Sequence, residues 1–221
     1  MGKLSFTKNF VKTVTRGTGS PKGGNVANLT FARGEKIRIN DNVAVNSLGE
    51  SYSEDLIKVY KSKGTVNSPI QIRGNKLNGG GPSLSSVGIL VGDQGGEYQL
   101  IENNILVNPA SGGIGIAGGR YITVRSNKIF SDDQRDFTNV GIGVLRFNTQ
   151  NADGGTAPGD CYGHTVEYNE VTFYQGSDFN PYGPVLAPWY TSDVGYDGLA
   201  PNCDTIGGLS TNKFDTESNQ P

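Results

Sequence analysis

The chain is short of the side chains that most often build helices or carry chemistry. Its 221 residues include one histidine, one methionine, one tryptophan and two cysteines, and only 18% are charged. So little charge and so few helix-favouring side chains argue against a helical bundle. The formal net charge of -2 gives no electrostatic reason to expect a nucleic-acid or acidic-membrane partner. No stretch approaches the roughly 18 apolar residues of a membrane span. The opening segment, Met1-Gly2-Lys3-Leu4-Ser5-Phe6, reads as strand and not as a signal peptide, so any export signal is expected to have been trimmed away.

What the chain has in excess is glycine, 33 residues, the mark of many short strands joined by tight turns. A phrase recurs along its length: an apolar residue, Asn three positions on, and an apolar residue two further. It reads Phe6-Asn9-Val11, Ile39-Asn42-Ala44, Ile72-Asn75-Leu77, Leu100-Asn103-Ile105, Val124-Asn127-Ile129, Val166-Asn169-Val171 and Leu209-Asn212-Phe214. The Asn spacings are 33, 33, 28, 24, 42 and 43. A second, alternating phrase lies between: Leu29-Phe31, Ile57-Val59, Ile89-Val91, Ile114-Ile116, Ile142-Val144 and Val185-Ala187. Each interval therefore holds at least two short strands of period two. Such a unit cannot bury its apolar face alone, so units must stack. The Asn phrase also occurs in leucine-rich repeats, but those keep a tighter period and a helical or Leu-rich outer segment. The reading is an all-β, right-handed parallel β-helix of about seven coils with an Asn ladder, forming one domain over residues 1–221.

The run Gly115-Ile116, followed by Tyr121-Ile122-Thr123-Val124-Arg125-Ser126-Asn127-Lys128-Ile129, resembles the repeats of the pectate-lyase-like superfamily of parallel β-helix proteins. The resemblance spans about residues 4 to 214. It implies a stacked ladder for the repeated Asn, and turn chemistry agrees, because Asn tolerates left-handed backbone and its amide can satisfy turn groups. It also implies a carbohydrate-active function, since members are commonly polysaccharide lyases, hydrolases or epimerases.

The two cysteines hold equivalent places on successive coils. Cys161 lies eight residues before Asn169 and Cys203 nine before Asn212. One strand spacing, about 4.8 Å, would separate them, within the roughly 4.4–6.8 Å a disulfide spans. Two partly buried free thiols are the alternative. A disulfide would add about 3–4 kcal/mol and point to an extracellular or periplasmic compartment. Both cysteines sit in long Gly-, Asp-, Tyr- and Pro-rich connections, roughly residues 148–163 and 190–205, where function tends to lie on a rigid scaffold.

Register assigns His164 to an inward column with Ile37, Ile70, Tyr98 and Ile122, so it reads as core and not as an exposed base. A more active column follows the second phrase: Arg33, Lys61, Asp93, Gly118, Arg146 and Trp189. Gly118 would leave a gap bounded by Asp93, Arg146 and the loop carrying Cys161. The candidate catalytic residues are Asp93, Arg146, Lys61 and Glu97. Tyr98 and Arg120 join from adjoining turns, and Trp189, Tyr190 and Tyr60 supply faces on which sugar rings could stack. The structural alternative is a surface ion-pair ladder. Another exterior column, Asn40, Arg73, Ile101, Arg125 and Glu167, reads as a solvated face. The run Asp132-Asp133-Gln134-Arg135-Asp136 could hold Ca2+, which needs six to eight oxygens, but its spacing fits no calcium loop. No cofactor is required and no metal site is assigned. Asn28-Leu29-Thr30 is a sequon that matters only in a eukaryotic secretory host.

Three functions remain open. One is an enzyme on an extracellular polysaccharide, lyase-like before hydrolase. Arg146 or Lys61 would neutralise a uronate, and Tyr98, Lys61 or Arg120 would take the C5 proton. Hydrolysis would need Asp93 with Glu97. The others are a glycan-binding or adhesin module and a structural solenoid. No capping helix is read before Leu4, so either a further upstream segment or end-to-end self-association is expected to cover the first coil.

Overall fold

The computed structural model of the chain describes residues 3–14, 23–47, 50–83, 86–132, 140–144, 160–173, 189–191, 203 and 206–215. All the strand ladders between named strands are parallel, and the one helical element is a 3-10 turn at Leu209–Thr211. The strands form three stacks. The first runs through Leu4–Thr7, Ile37–Asn40, Ile70–Arg73, the second half of Val87–Glu102, Gly119–Arg125 and Thr165–Glu167. The second is a seven-stranded sheet through Phe10–Lys12, Val43–Val45, Lys76–Asn78, Ile105–Val107, Lys128–Ser131, Glu170–Phe173 and Lys213–Asp215. The third joins Ala27–Thr30, Ile57–Lys63, the first half of Val87–Glu102, Gly112–Ile116, Val140–Val144 and Trp189–Thr191. Parallel neighbours separated by a full circuit of chain are what a β-helix requires.

The core consists of columns of β-branched residues. Ile39, Ile72, Ile101, Val124 and Val166 stack in register on the first sheet and are buried, as are Ile57, Ile89, Ile114 and Ile142 on the third. Stiff branched side chains suit a pleated, fully buried surface, which explains why Ile and Val fill these positions. Polar turns alternate with them. Asn9, Asn42, Asn75, Asn104, Asn127, Asn169 and Asn212 form a continuous ladder, each side-chain amide donating to the next Oδ1 at 2.8–2.9 Å. Each amide from Asn42 onward also donates to a carbonyl of the preceding rung, as from Asn75 to Ile39 at 2.9 Å. Each of these side chains thus replaces hydrogen bonds that a tight buried turn would otherwise leave unmade.

Register differs from the sequence reading at four places. The ladder residue of the fourth rung is Asn104, which is buried, while Asn103 is exposed. Asn103 instead takes the left-handed position before the ladder residue, φ 55°, the place occupied elsewhere by Lys8, Asp41, Ser126 and Tyr168. Left-handed backbone therefore belongs to the preceding residue and not to the ladder Asn. The slip carries through its strand. Gln99, not Tyr98, joins Ile70, Ile122 and His164 in the inward column, and Glu102, not Ile101, lies between Arg73 and Arg125. On the third stack, Ala27 and Leu29 are the partners of Ile57 and Val59, displacing Leu29-Phe31 by two. Trp189–Thr191, not Val185-Ala187, pairs with Ile142–Val144. The disulfide is formed between Cys161 and Cys203, with Cα atoms 4.7 Å apart. No helix among the described residues is long and apolar enough to cross a membrane.

Candidate functional site

The slip brings tyrosines to the outer surface. Tyr98 and Tyr121 occupy successive outward positions on the first stack, and their rings stack with centroids 5.2 Å apart and planes 11° apart. Tyr162, on the next rung, meets Tyr121 edge-on at 5.5 Å. Gly163 makes this possible. A Cβ there would stand 2.7 Å from Cδ1 of Tyr121, and its φ of +68° already favours glycine. The two stacked faces cover one another, and Tyr121 remains 44% exposed.

An ion-pair network lies beside the stack. Glu97 accepts from Arg120 and, at 3.2 Å, from Lys63. Arg120 also donates to the Tyr162 hydroxyl at 3.0 Å and lies 3.5 Å from Asp160. Burial pushes the Glu97 carboxyl up, but the bonds from Arg120 and Lys63 outweigh it and hold it below the ordinary glutamate value. The hydrogen bonds to Tyr162 and Glu97 keep Arg120 firmly protonated. Glu97 is consequently an ionised anchor for Arg120 and a weak proton acceptor. Next to it, an open cleft of about 280 Å³ is lined by Val66, Pro69, Tyr98, Gln99, Leu100, Tyr121, Thr123, Arg125 and Gly163. Arg125 donates from Nε to Glu102 at 2.9 Å, and Arg73 reaches the same carboxylate at 3.4 Å from the other side. Glu167 follows Arg125 in the same column, so charges of opposite sign alternate along this edge of the cleft.

The other candidates fall elsewhere. Asp93 is buried and pairs with Lys58 at 2.9 Å, and Lys58 also reaches Asp55 at 3.5 Å. Tyr60 meets Phe31 edge-on at 5.8 Å, and the Lys61 ammonium lies 5.4 Å from the Tyr60 ring centre and 5.9 Å from that of Phe31. This is a second cluster, not in contact with the tyrosine stack through any of these interactions. Gly118 has φ +128°, so its glycine is required by the backbone and not only by space. Arg146 lies outside the described residues, as do residues 133–136 of the acidic run. Trp189 and Tyr190 are described only as strand partners of Ile142 and Gly143.

His164 is buried, as its register implied. Its Nδ1 accepts the Ile122 amide at 3.3 Å, and burial pushes its pKa down to about 4. Of the nine candidate catalytic and binding residues, the structure groups Glu97, Tyr98 and Arg120, and adds Tyr121, Tyr162 and Arg125, which the sequence reading left out. Correct register on Asn104 turns Tyr98 outward beside Tyr121 and Arg125, whose outward places the Asn127 phrase already set. No protein-family model, curated protein or solved structure matches the chain.

Proposed function

We propose that this protein recognises an extracellular polysaccharide along the outer face of the first stack. The observation that carries the reading is the cleft beside the Tyr98–Tyr121 stack. It combines phenol edges, the Thr123 side chain and the alternating charges of Arg73, Glu102, Arg125 and Glu167, on a scaffold of fixed rise. A polymer of repeating sugars presents hydroxyls and ring edges at regular intervals, and a stack of parallel strands repeats every roughly 4.8 Å. The resemblance to pectate-lyase-like repeats supports the same substrate class. The disulfide is compatible with a secreted or periplasmic location.

A lyase is the second reading, favoured by the Arg120–Tyr162 pair: a guanidinium that could hold a carboxylated sugar, with a phenol hydrogen-bonded to it at 3.0 Å as the candidate base. The test is retention on immobilised uronate and neutral polysaccharides, with ultraviolet absorbance of unsaturated product and reducing ends read in parallel. Retention that falls at least about tenfold, or about 1.4 kcal/mol, in Tyr121→Ala supports recognition. Unsaturated product would add the lyase. No retention on any acidic or neutral glycan would remove both.

A further inference from the structure

We propose that Cys203 is a thiolation site, at which a small-molecule thiol exchanges with the disulfide while Cys161 departs as the thiolate. The two sulfurs differ in access. Cys161 is 5% exposed and pairs in register with Gly119, whereas Cys203 is only partly buried. Of the two sulfurs, Cys203 is therefore the one a thiolate reaches more readily. To attack Cys161 it would have to enter the interior, where His164 Nε2 already stands 3.5 Å from the sulfur.

The leaving group is prepared by the same histidine. His164 Nδ1 accepts the Ile122 N–H at 3.3 Å, so in the neutral ring the proton sits on Nε2, facing Cys161 Sγ. As negative charge develops on Cys161, that N–H becomes a charge-assisted donor. A stabilised leaving thiolate departs faster. Burial keeps the ring neutral across the ordinary pH range, so this donor does not titrate away.

The exchange balances without further reagents. The external thiolate forms a bond to Cys203 Sγ, the disulfide breaks, and its electron pair goes to Cys161, which later takes a proton from solvent. A second thiolate attacking the external sulfur of the mixed disulfide gives a small-molecule disulfide and the Cys203 thiolate. After the first step the last rung stays in place through the Asn169–Asn212 bond at 2.8 Å and the pairing of Glu170 with Lys213. Cys161 can therefore re-attack Cys203, and the modification is reversible.

The test is incubation of the full chain with reduced glutathione, followed by acid quench, alkylation and peptide mapping. The expected result is glutathione on Cys203 and the alkyl label on Cys161, in at least tenfold excess over the reverse. His164→Leu should slow the exchange about tenfold, and His164→Gln, which can return an N–H donor, should restore part of the rate. Because the regiochemistry is read on the unsubstituted chain, a variant that fails to fold does not remove the test. An even distribution, an adduct on Cys161, or a folded His164→Leu chain exchanging as fast as the unsubstituted one would overturn the proposal.

Discussion

His164 and Asp55 are buried titratable side chains whose effects on stability oppose each other. Burial lowers the His164 pKa from 6.5 to about 4. Between those values the unfolded chain takes up a proton that the folded chain refuses, so acidification destabilises the fold through this residue. Burial raises the Asp55 carboxyl from 3.8 to about 6, against the opposing pull of Lys58. There the folded chain takes up a proton before the unfolded chain does, so acidification stabilises. The two windows overlap between about pH 4 and 6 and offset each other in the unsubstituted protein. Thermal melts should separate them. Asp55→Asn is expected to lose stability as pH falls from 6 to 4, and His164→Leu to gain it relative to the unsubstituted chain. Parallel pH profiles for all three proteins would refute the assignment.

The paired asparagines make a second test at this scale. Asn104 accepts from the Asn75 amide and backbone N–H, and donates to Ile72 and Asn127. Asn104→Ala strands several buried groups, each worth about 1–3 kcal/mol, and should cost roughly 3 kcal/mol or more. Asn103→Ala loses only the left-handed preference of Asn, about 1 kcal/mol. Urea unfolding of the two variants gives the comparison, and equal losses would contradict the ladder register.

At the scale of the element, the strand Val87–Glu102 shows where the sequence was legible and where it was not. The periodic Ile and Val columns and the Asn phrase were enough to read a stacked parallel solenoid and to pair Cys161 with Cys203. The fourth rung was ambiguous because Leu100-Asn103-Ile105 and Ile101-Asn104-Leu106 both satisfy the phrase. A one-residue slip exchanges the two faces of a strand, so choosing the first turned Tyr98 inward and hid the candidate cleft. The signal that separates them is electrostatic. Only the second frame places Glu102 between Arg73 and Arg125. The carboxylate is buried and held from both sides, at 3.4 Å by Arg73 and 2.8 Å by Arg125. Glu102→Gln should leave the two guanidiniums facing each other without their counter-charge. We expect a loss of about 1–3 kcal/mol, larger than the 0–1 kcal/mol of an ordinary exposed pair, measured by urea unfolding. A loss near zero would mean that the column is simply a solvated face.

At the scale of the whole molecule, a stack of similar units gives a rigid rod whose outer residues fall into straight columns. A column of weak contacts can therefore act together on an extended polymer. The ladder also has a direction. At its far end the Asn212 amide donates to Val166 of the preceding rung, as the other rungs do, and to Leu209 of its own turn, at 2.8 and 2.9 Å. At the other end Leu4, Phe10 and Phe31 are exposed, and the strands Leu4–Thr7, Phe10–Lys12 and Ala27–Thr30 each pair on one side only among the described residues. These edges are not part of the proposed site. That site lies on the flank of the rod, where a long chain can run across several rungs.

Hydrogen exchange with and without a retained polysaccharide tests that placement most directly. The account predicts slower exchange in residues 97–102, 119–125 and 160–167, with the effect lost in Tyr121→Ala. Protection confined to the glycine-rich strands Gly112–Ile116 and Val140–Val144, or no change on the first stack while the glycan is bound, would contradict it.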